Sequence, residues 1–255
     1  MGHFEYMKGN FKKALKSFGE AIKIADNIIP NGFNGFIFDG EIDNRYFLRS
    51  LHGLGLSYLK LKKFHDAVDS LERLLKYSPG DSGGVSYILG VACLYLNELG
   101  KAREYLSGML HSYTPSRYNL GLVLLKEKEF EEAVMHLRHA FLDNRLIVEI
   151  LTGRLNLFEI PESDDMFSPI RDTHDYLEDN MELWISDHKA LAFLKALFNH
   201  PKVIAENQQY AELKGILDNE NDLGKRVPLV NTKESFLNRI DKSSSGVICT
   251  DILPL

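Results

Sequence analysis

Two cysteines, Cys93 and Cys249, in 255 residues are too few for a disulfide framework. Cys93 also lies in an apolar stretch that reads as buried, so the expected setting is a reducing compartment, by default the cytoplasm. No apolar run reaches the roughly 18 residues that a membrane-spanning helix needs. The opening Met1-Gly2-His3-Phe4-Glu5-Tyr6 lacks the basic start and apolar block of a secretory leader. A basic excess is missing too. The net charge of -6 argues against general nucleic-acid binding, which wants a positive face. What is present, 44% apolar and 26% charged residues, is an ordinary globular composition. It suits one extended helical array or two small domains.

Catalytic signatures are equally scarce. The glycine-rich pieces at 32–40 and 80–84 lack the lysine of a phosphate-cradling loop. Gly55-Leu56-Ser57 and Gly84-Val85-Ser86 begin a nucleophile elbow, but neither has the closing glycine. His136 and His139 are three apart without the acidic partner of a zinc helix, and read as surface histidines. The expectation is a chain that is not an enzyme and holds no cofactor and no metal.

A repeat is present. Leu54-Gly55, Leu89-Gly90 and Leu120-Gly121 are each followed, twelve residues after the glycine, by Ala67, Ala102 and Ala133. Sixteen after it stand Leu71, Leu106 and Leu137. The fullest copy adds Leu51, Tyr58 and Pro79, and an earlier one fits with Gly2, Ala14, Phe18 and Ala21. Lys62-Lys63-Phe64 and Glu127-Lys128-Glu129-Phe130 read as polar helix-to-helix turns whose closing aromatic opens the next helix. Tyr77-Ser78-Pro79-Gly80-Asp81 reads as a stop, because proline and glycine continue a helix poorly.

This pattern resembles the tetratricopeptide repeat, which runs Trp-x2-Leu-Gly-x2-Tyr, then Ala-x3-Phe, then Pro. The resemblance implies an all-α fold, an α-solenoid of antiparallel helix pairs that must stack because no single pair buries both faces. The expected layout is an array over 1–142, with repeats near 1–26, 47–80, 82–113 and 114–142 and an insertion at 27–43. Residues 143–241 would hold a degenerate repeat and capping helices, and 242–255 a tail. In this register the first helix is truncated at Met1, and the connection near Tyr113-Thr114-Pro115 is tight. The insertion alternates turn residues (Pro30, Gly32, Gly35, Gly40) with Ile28, Ile29, Phe33, Phe36 and Phe38. That much apolar surface is costly in water, so it is expected to pack on its own array, with docking of a partner as the alternative.

Beyond Ala140 the repeat fades. Helical spacing predicts helices over Asn144–Phe158, 170–185, from an N-cap at Ser186 to Asn199, from Pro201 to about Leu217, and over Lys233–Ile240. The tail Ser243-Ser244-Ser245-Gly246 looks flexible, yet is followed by the apolar Val247, Ile248, Ile252, Leu253 and Leu255, so disorder and packing against the body both stay open. From Glu159 to Asp187 ten acids face a single base, Arg171, a local charge of -9 that leaves the rest near +3. A solvated face is the bland reading, and a landing site for a basic partner the sharper one.

In the family that this pattern resembles, the first helix of each repeat lines the concave face. Those positions carry Arg49, His52, Leu56, Leu59 and Lys60, then Gly84, Tyr87, Val91, Leu94 and Tyr95, then Pro115, Tyr118, Leu122, Leu125 and Lys126. The Lys/Asn/Arg clamp of chaperone-tail binders is missing. The resemblance therefore implies a non-catalytic scaffold or adaptor that takes an apolar peptide or amphipathic helix in this groove, with Tyr87, Tyr95 and Tyr118 as anchors. The chain's own insertion or tail competes as occupant. The expected partner is a protein or peptide, with no nucleic acid and no membrane span, and the oligomeric state is open. Small proteins of this kind also resemble secretion chaperones and secreted effectors. An enzyme using His174 with Glu178 or Asp179 is the third reading, with no motif behind it.

Overall fold

A computed structural model describes residues 1–80, 84–110, 113–161, 163–165 and 168–253. Asp81 of the expected stop, Glu162 of the acidic run and the last residue of the tail, Leu255, lie outside the described residues. Among the described residues the structure is all-α, with no strand. Eight helices form four successive pairs. They are α1 (Gly2–Met7) with α2 (Phe11–Asp26), α3 (Ile42–Lys60) with α4 (Phe64–Tyr77), α5 (Val85–Tyr95) with α6 (Leu99–Ser107), and α7 (Ser116–Glu127) with α8 (Phe130–Asp143).

The motif acquires a physical meaning in these pairs. A Cβ added at Gly55 would lie 2.5 Å from the Leu71 side chain, at Gly90 2.5 Å from Leu106, and at Gly121 2.6 Å from Leu137. Gly2 stands in the same relation to Phe18, at 2.6 Å. The residue sixteen positions on thus fills the space that the missing side chain leaves, and Leu71, Leu106 and Leu137 are fully buried there. Burying one such leucine is worth about 1.5–3 kcal/mol. A second regularity sits seven positions after each glycine, where the turn residue is left-handed: Gly9 at φ 73, Lys62 at 56, Asn97 at 58 and Lys128 at 64. Two residues further on, Phe11, Phe64, Leu99 or Phe130 opens the second helix.

Helix faces follow the apolar spacing. In α4, Ala67, Leu71 and Leu74 recur at helical intervals and are buried, while Asp66 and Asp69 fall on the other side. Helix α5 carries no charged residue and is buried on most of its circumference, as expected of an inner helix.

The chain divides into two compact units, Met1–Met109 and Leu110–Leu255. The division falls inside the stretch 1–142, where the sequence reads as one array. Its physical basis is that α7 and α8 are built into the helices that follow them. In the first unit α2 packs on α3, and α4 on α5, so the pairs stack in series. In the second, α9 (Arg145–Leu151) packs on α8 and α10 (Pro169–Ile185). Beyond these come α11 (His188–Phe198), α12 (Pro201–Asn219), α13 (Leu223–Asn238) and α14 (Lys242–Ile252).

Several C-terminal boundaries differ from expectation. Helix α9 stops at Leu151, with Gly153 left-handed at φ 78, and the stretch to Phe158 contains only a 3-10 turn at Leu157–Glu159. The cap of α11 is Asp187, whose carboxylate accepts from the Ala190 N–H, and not Ser186. Helix α13 starts at Leu223, ten residues earlier than the spacing suggests, because it tolerates Pro228 inside its length. Residues 242–252 are helical and lie back on α8 and α11. Asp241 and Ser244 close a capping box, and Ser245, Ile248, Cys249 and Ile252 are buried. Arg138, itself buried, grips the helix start through the Ser244 and Ser245 hydroxyls at 3.0 and 2.8 Å, and pairs with Glu206 at 2.6 Å.

Candidate functional site

The first unit presents two first-helix faces, on α3 and α5. Arg49 is exposed; His52, Leu56, Lys60, Tyr87 and Tyr95 are half-buried; Leu59, Val91 and Leu94 are buried. Val91 and Leu94 are thus core residues, not lining, since α5 buries nearly its whole circumference. Tyr95 keeps an edge at the surface but spends one ring face on Phe64, stacked at 4.3 Å between centroids. Of this first-helix band, Leu56, Tyr87 and Tyr95 keep surface, as do Arg49, His52 and Lys60.

The N-terminal end of this band is a pocket of about 360 Å³. Arg45, Leu48, Arg49 and His52 of α3, Leu74 of α4, Ser78 and Val85 line it, together with Asp39 and Gly40. The insertion supplies the last wall. It is tied down where the Ile37 N–H donates to the Tyr77 carbonyl at 2.8 Å and where Phe33 packs on Tyr77. The Asn44 amide and the Arg45 Nε donate to the carbonyls of Phe38 and Asp39 at 2.9 and 3.1 Å. Ile28, Phe36 and Phe38 nevertheless project, each at least 70% exposed. The insertion therefore walls the end of the α3 face, and only part of it packs on the array.

The matching face of the second unit is closed. Tyr118, Leu122 and Leu125 on α7 are all buried, the first two completely. The Tyr118 ring meets Phe141 and Tyr176, its hydroxyl donates to the Asn144 carbonyl at 2.7 Å, and burial pushes its pKa well up. Beside it the Asn119 amide donates to Asn180 at 2.8 Å, Tyr176 donates to Asn119 at 2.9 Å, and the Trp184 indole donates to Tyr176 at 2.8 Å. Lys126 is paired with Asp187 at 3.0 Å. Helix α10 thus covers the first-helix face of α7, and Tyr118 is a core residue, not an anchor for a partner. The rule that polar groups need partners when buried explains why the network is so complete.

His174 lies on the rim of a surface hollow in the second unit with Ser163, Asp164, Arg171, Asp175 and Glu178. Among the described residues no group of three His, Cys, Asp or Glu side chains is placed to hold a metal ion. Burial raises the Cys93 thiol to about 11 and the Cys249 thiol above its ordinary value, which keeps both protonated at neutral pH. His139 is half-buried, with Nε2 donating to the Ile240 carbonyl at 3.0 Å. His136 is buried on α8, so neither is the surface histidine expected.

The spacing of the first-helix positions found Arg49, His52 and Leu56 but missed Arg45, Asp39, Gly40 and Ser78. Arg45 lies four residues before Arg49 on the same helical face, in the first turn of α3, which a repeat start near 47 leaves out. The two insertion residues carry no periodic signal.

Among the described residues, no helix is long and apolar enough to cross a membrane. Two tetratricopeptide repeat family profiles match, over residues 52–116 and 114–142. No curated protein and no solved structure matches the chain. Repeats of this kind generally mediate protein–protein interaction. With the glycine-to-leucine packing of α3–α8 behind those matches, residues 52–142 of this chain are tetratricopeptide repeats.

Proposed function

We propose that this protein is a scaffold that binds an apolar or amphipathic segment of a partner protein along the first-helix face of α3 and α5. The observation that carries the reading is the contrast in access. Leu56, Tyr87 and Tyr95 keep surface, whereas Tyr118 and Leu122 in the matching positions of α7 have none. A half-exposed aromatic beside an aliphatic side chain, rimmed by basic residues, suits an anchor-and-rim mode of recognition. The helices behind the face are fixed by the glycine contacts, so the surface is rigid before a ligand arrives and little ordering entropy is lost on binding.

The test is a displayed-peptide selection against the intact chain, followed by calorimetric titration of a synthesised binder. Leu56→Ala combined with Tyr87→Ala is expected to weaken that peptide by at least about tenfold, equivalent to roughly 1.4 kcal/mol. Unchanged affinity in the double variant, with its helix content intact, would place binding elsewhere.

A further inference from the structure

The pocket at the end of this band has a chemistry of its own. Arg45, Arg49 and His52 stand at i, i+4 and i+7 of α3, one helical stripe, and all three line the same 360 Å³ hollow. Arg45 is held by its bond from Nε to the Asp39 carbonyl, 3.1 Å. That bond uses one of the guanidinium's five N–H groups and fixes its plane. Arg49, four residues on, is exposed and has no ion-pair or hydrogen-bond partner among the described residues. Two guanidinium groups one turn apart repel each other, and α3 gains nothing in stability from setting them together. An arginine fork matches an oxyanion in two parallel hydrogen bonds, and a walled hollow screens such bonds less than open water does.

The charge in the pocket selects among anions. Among the described lining residues, histidine left out of the count, Arg45 and Arg49 against Asp39 leave a single positive charge. That balances one carboxylate and falls short of a doubly charged phosphate. Along the adjoining surface, α5 contributes no charge of either sign. Arg49 and Leu56 are seven residues apart on α3, about 10 Å at 1.5 Å per residue.

We infer that this pocket binds an aspartate or glutamate side chain of the partner segment, placed about three residues from an apolar anchor if the segment is extended, at about 3.3 Å per residue. The inference rests on the proposed peptide-binding role of α3 and α5 and names what that surface selects. The insertion, through Asp39 and Gly40, is then a specificity element.

The test needs no peptide. The Nε–H resonances of the arginines are followed in the full-length protein while acetate, inorganic phosphate or sodium chloride is added. Saturable shifts at Arg45 and Arg49 with acetate are the expected result, absent at two arginines that do not line the pocket, Arg73 of α4, which pairs with Asp26, and Arg103 of α6. Arg49→Gln, an exposed substitution with folding checked by circular dichroism, is expected to weaken acetate by about fivefold or more, as loss of a charge-assisted bond requires. Tighter saturation by phosphate than by acetate would overturn the carboxylate assignment in favour of a phosphorylated segment. Shifts no larger than chloride gives, or equal at all four arginines, would overturn the pocket itself. Because the probes are small ions, that failure leaves the peptide surface standing, and failure to select a peptide leaves an acetate result standing.

Discussion

Helices α3 and α7 occupy the same place in the repeat and meet opposite fates. Both carry the glycine whose missing Cβ receives a leucine sixteen residues on, Leu71 for Gly55 and Leu137 for Gly121. Both are followed by a turn with a left-handed lysine, Lys62 and Lys128. Yet the other face of α3 keeps His52 and Leu56 at the surface, and that of α7 is sealed by α10 through Tyr176, Asn180 and Tyr118. The repeat motif specifies how two helices pair. What happens on the face turned away from the partner helix is decided by residues outside the motif.

The largest effect that tests this difference is the loss of an aromatic. Tyr118→Ala empties a fully buried site and should cost about 3–5 kcal/mol. Tyr87→Ala, on the half-exposed face, should cost less than Tyr118→Ala, about 1 kcal/mol, the centre of single substitutions. Chemical denaturation reads the first through the single tryptophan, Trp184, which lies in the second unit, and circular dichroism reads the second. Equal losses would erase the distinction between a filled and an open face.

The shared part of the two helices is probed by a smaller change. Gly121→Ala drives a methyl to 2.6 Å from Leu137 and should destabilise by about 1–3 kcal/mol. Gly55→Ala should behave alike. Gly19→Ala in α2 meets nothing within 4 Å and should instead stabilise by roughly 0.4–1 kcal/mol. Thermal unfolding of the three variants separates close packing from helix propensity.

The smallest effect is on pH dependence. Burial, then the nearby Arg117 charge, lowers the His139 pKa. The unfolded chain therefore takes up the proton first, and the second unit loses stability as pH falls through about 6.5, the ordinary imidazole value. His139→Gln should flatten that part of the Trp184 unfolding midpoint against pH. An unchanged slope would assign the acid sensitivity to other groups.

Much of the stretch from α3 to α8 was legible because its signal is local. Leu54, Gly55, Ala67 and Leu71 lie within one repeat, and the same offsets recur at Gly90 and Gly121. The closing of α7 was not legible, because Asn119 and Asn180 are 61 residues apart and no period connects them. Nor was the turn geometry, since the left-handed position holds glycine, lysine, asparagine and lysine in turn. The helix at 242–252 has three serines and a glycine among its first five residues, weak helix formers. Tertiary contacts to Arg138 and the Asp241 cap outweigh that local preference.

The most direct measurement is a hydrogen-exchange footprint of a selected peptide on the intact chain. The account predicts slowed exchange in residues 45–60 and 85–95, with 116–127 unaffected. Protection on α7 that leaves α3 untouched would contradict it.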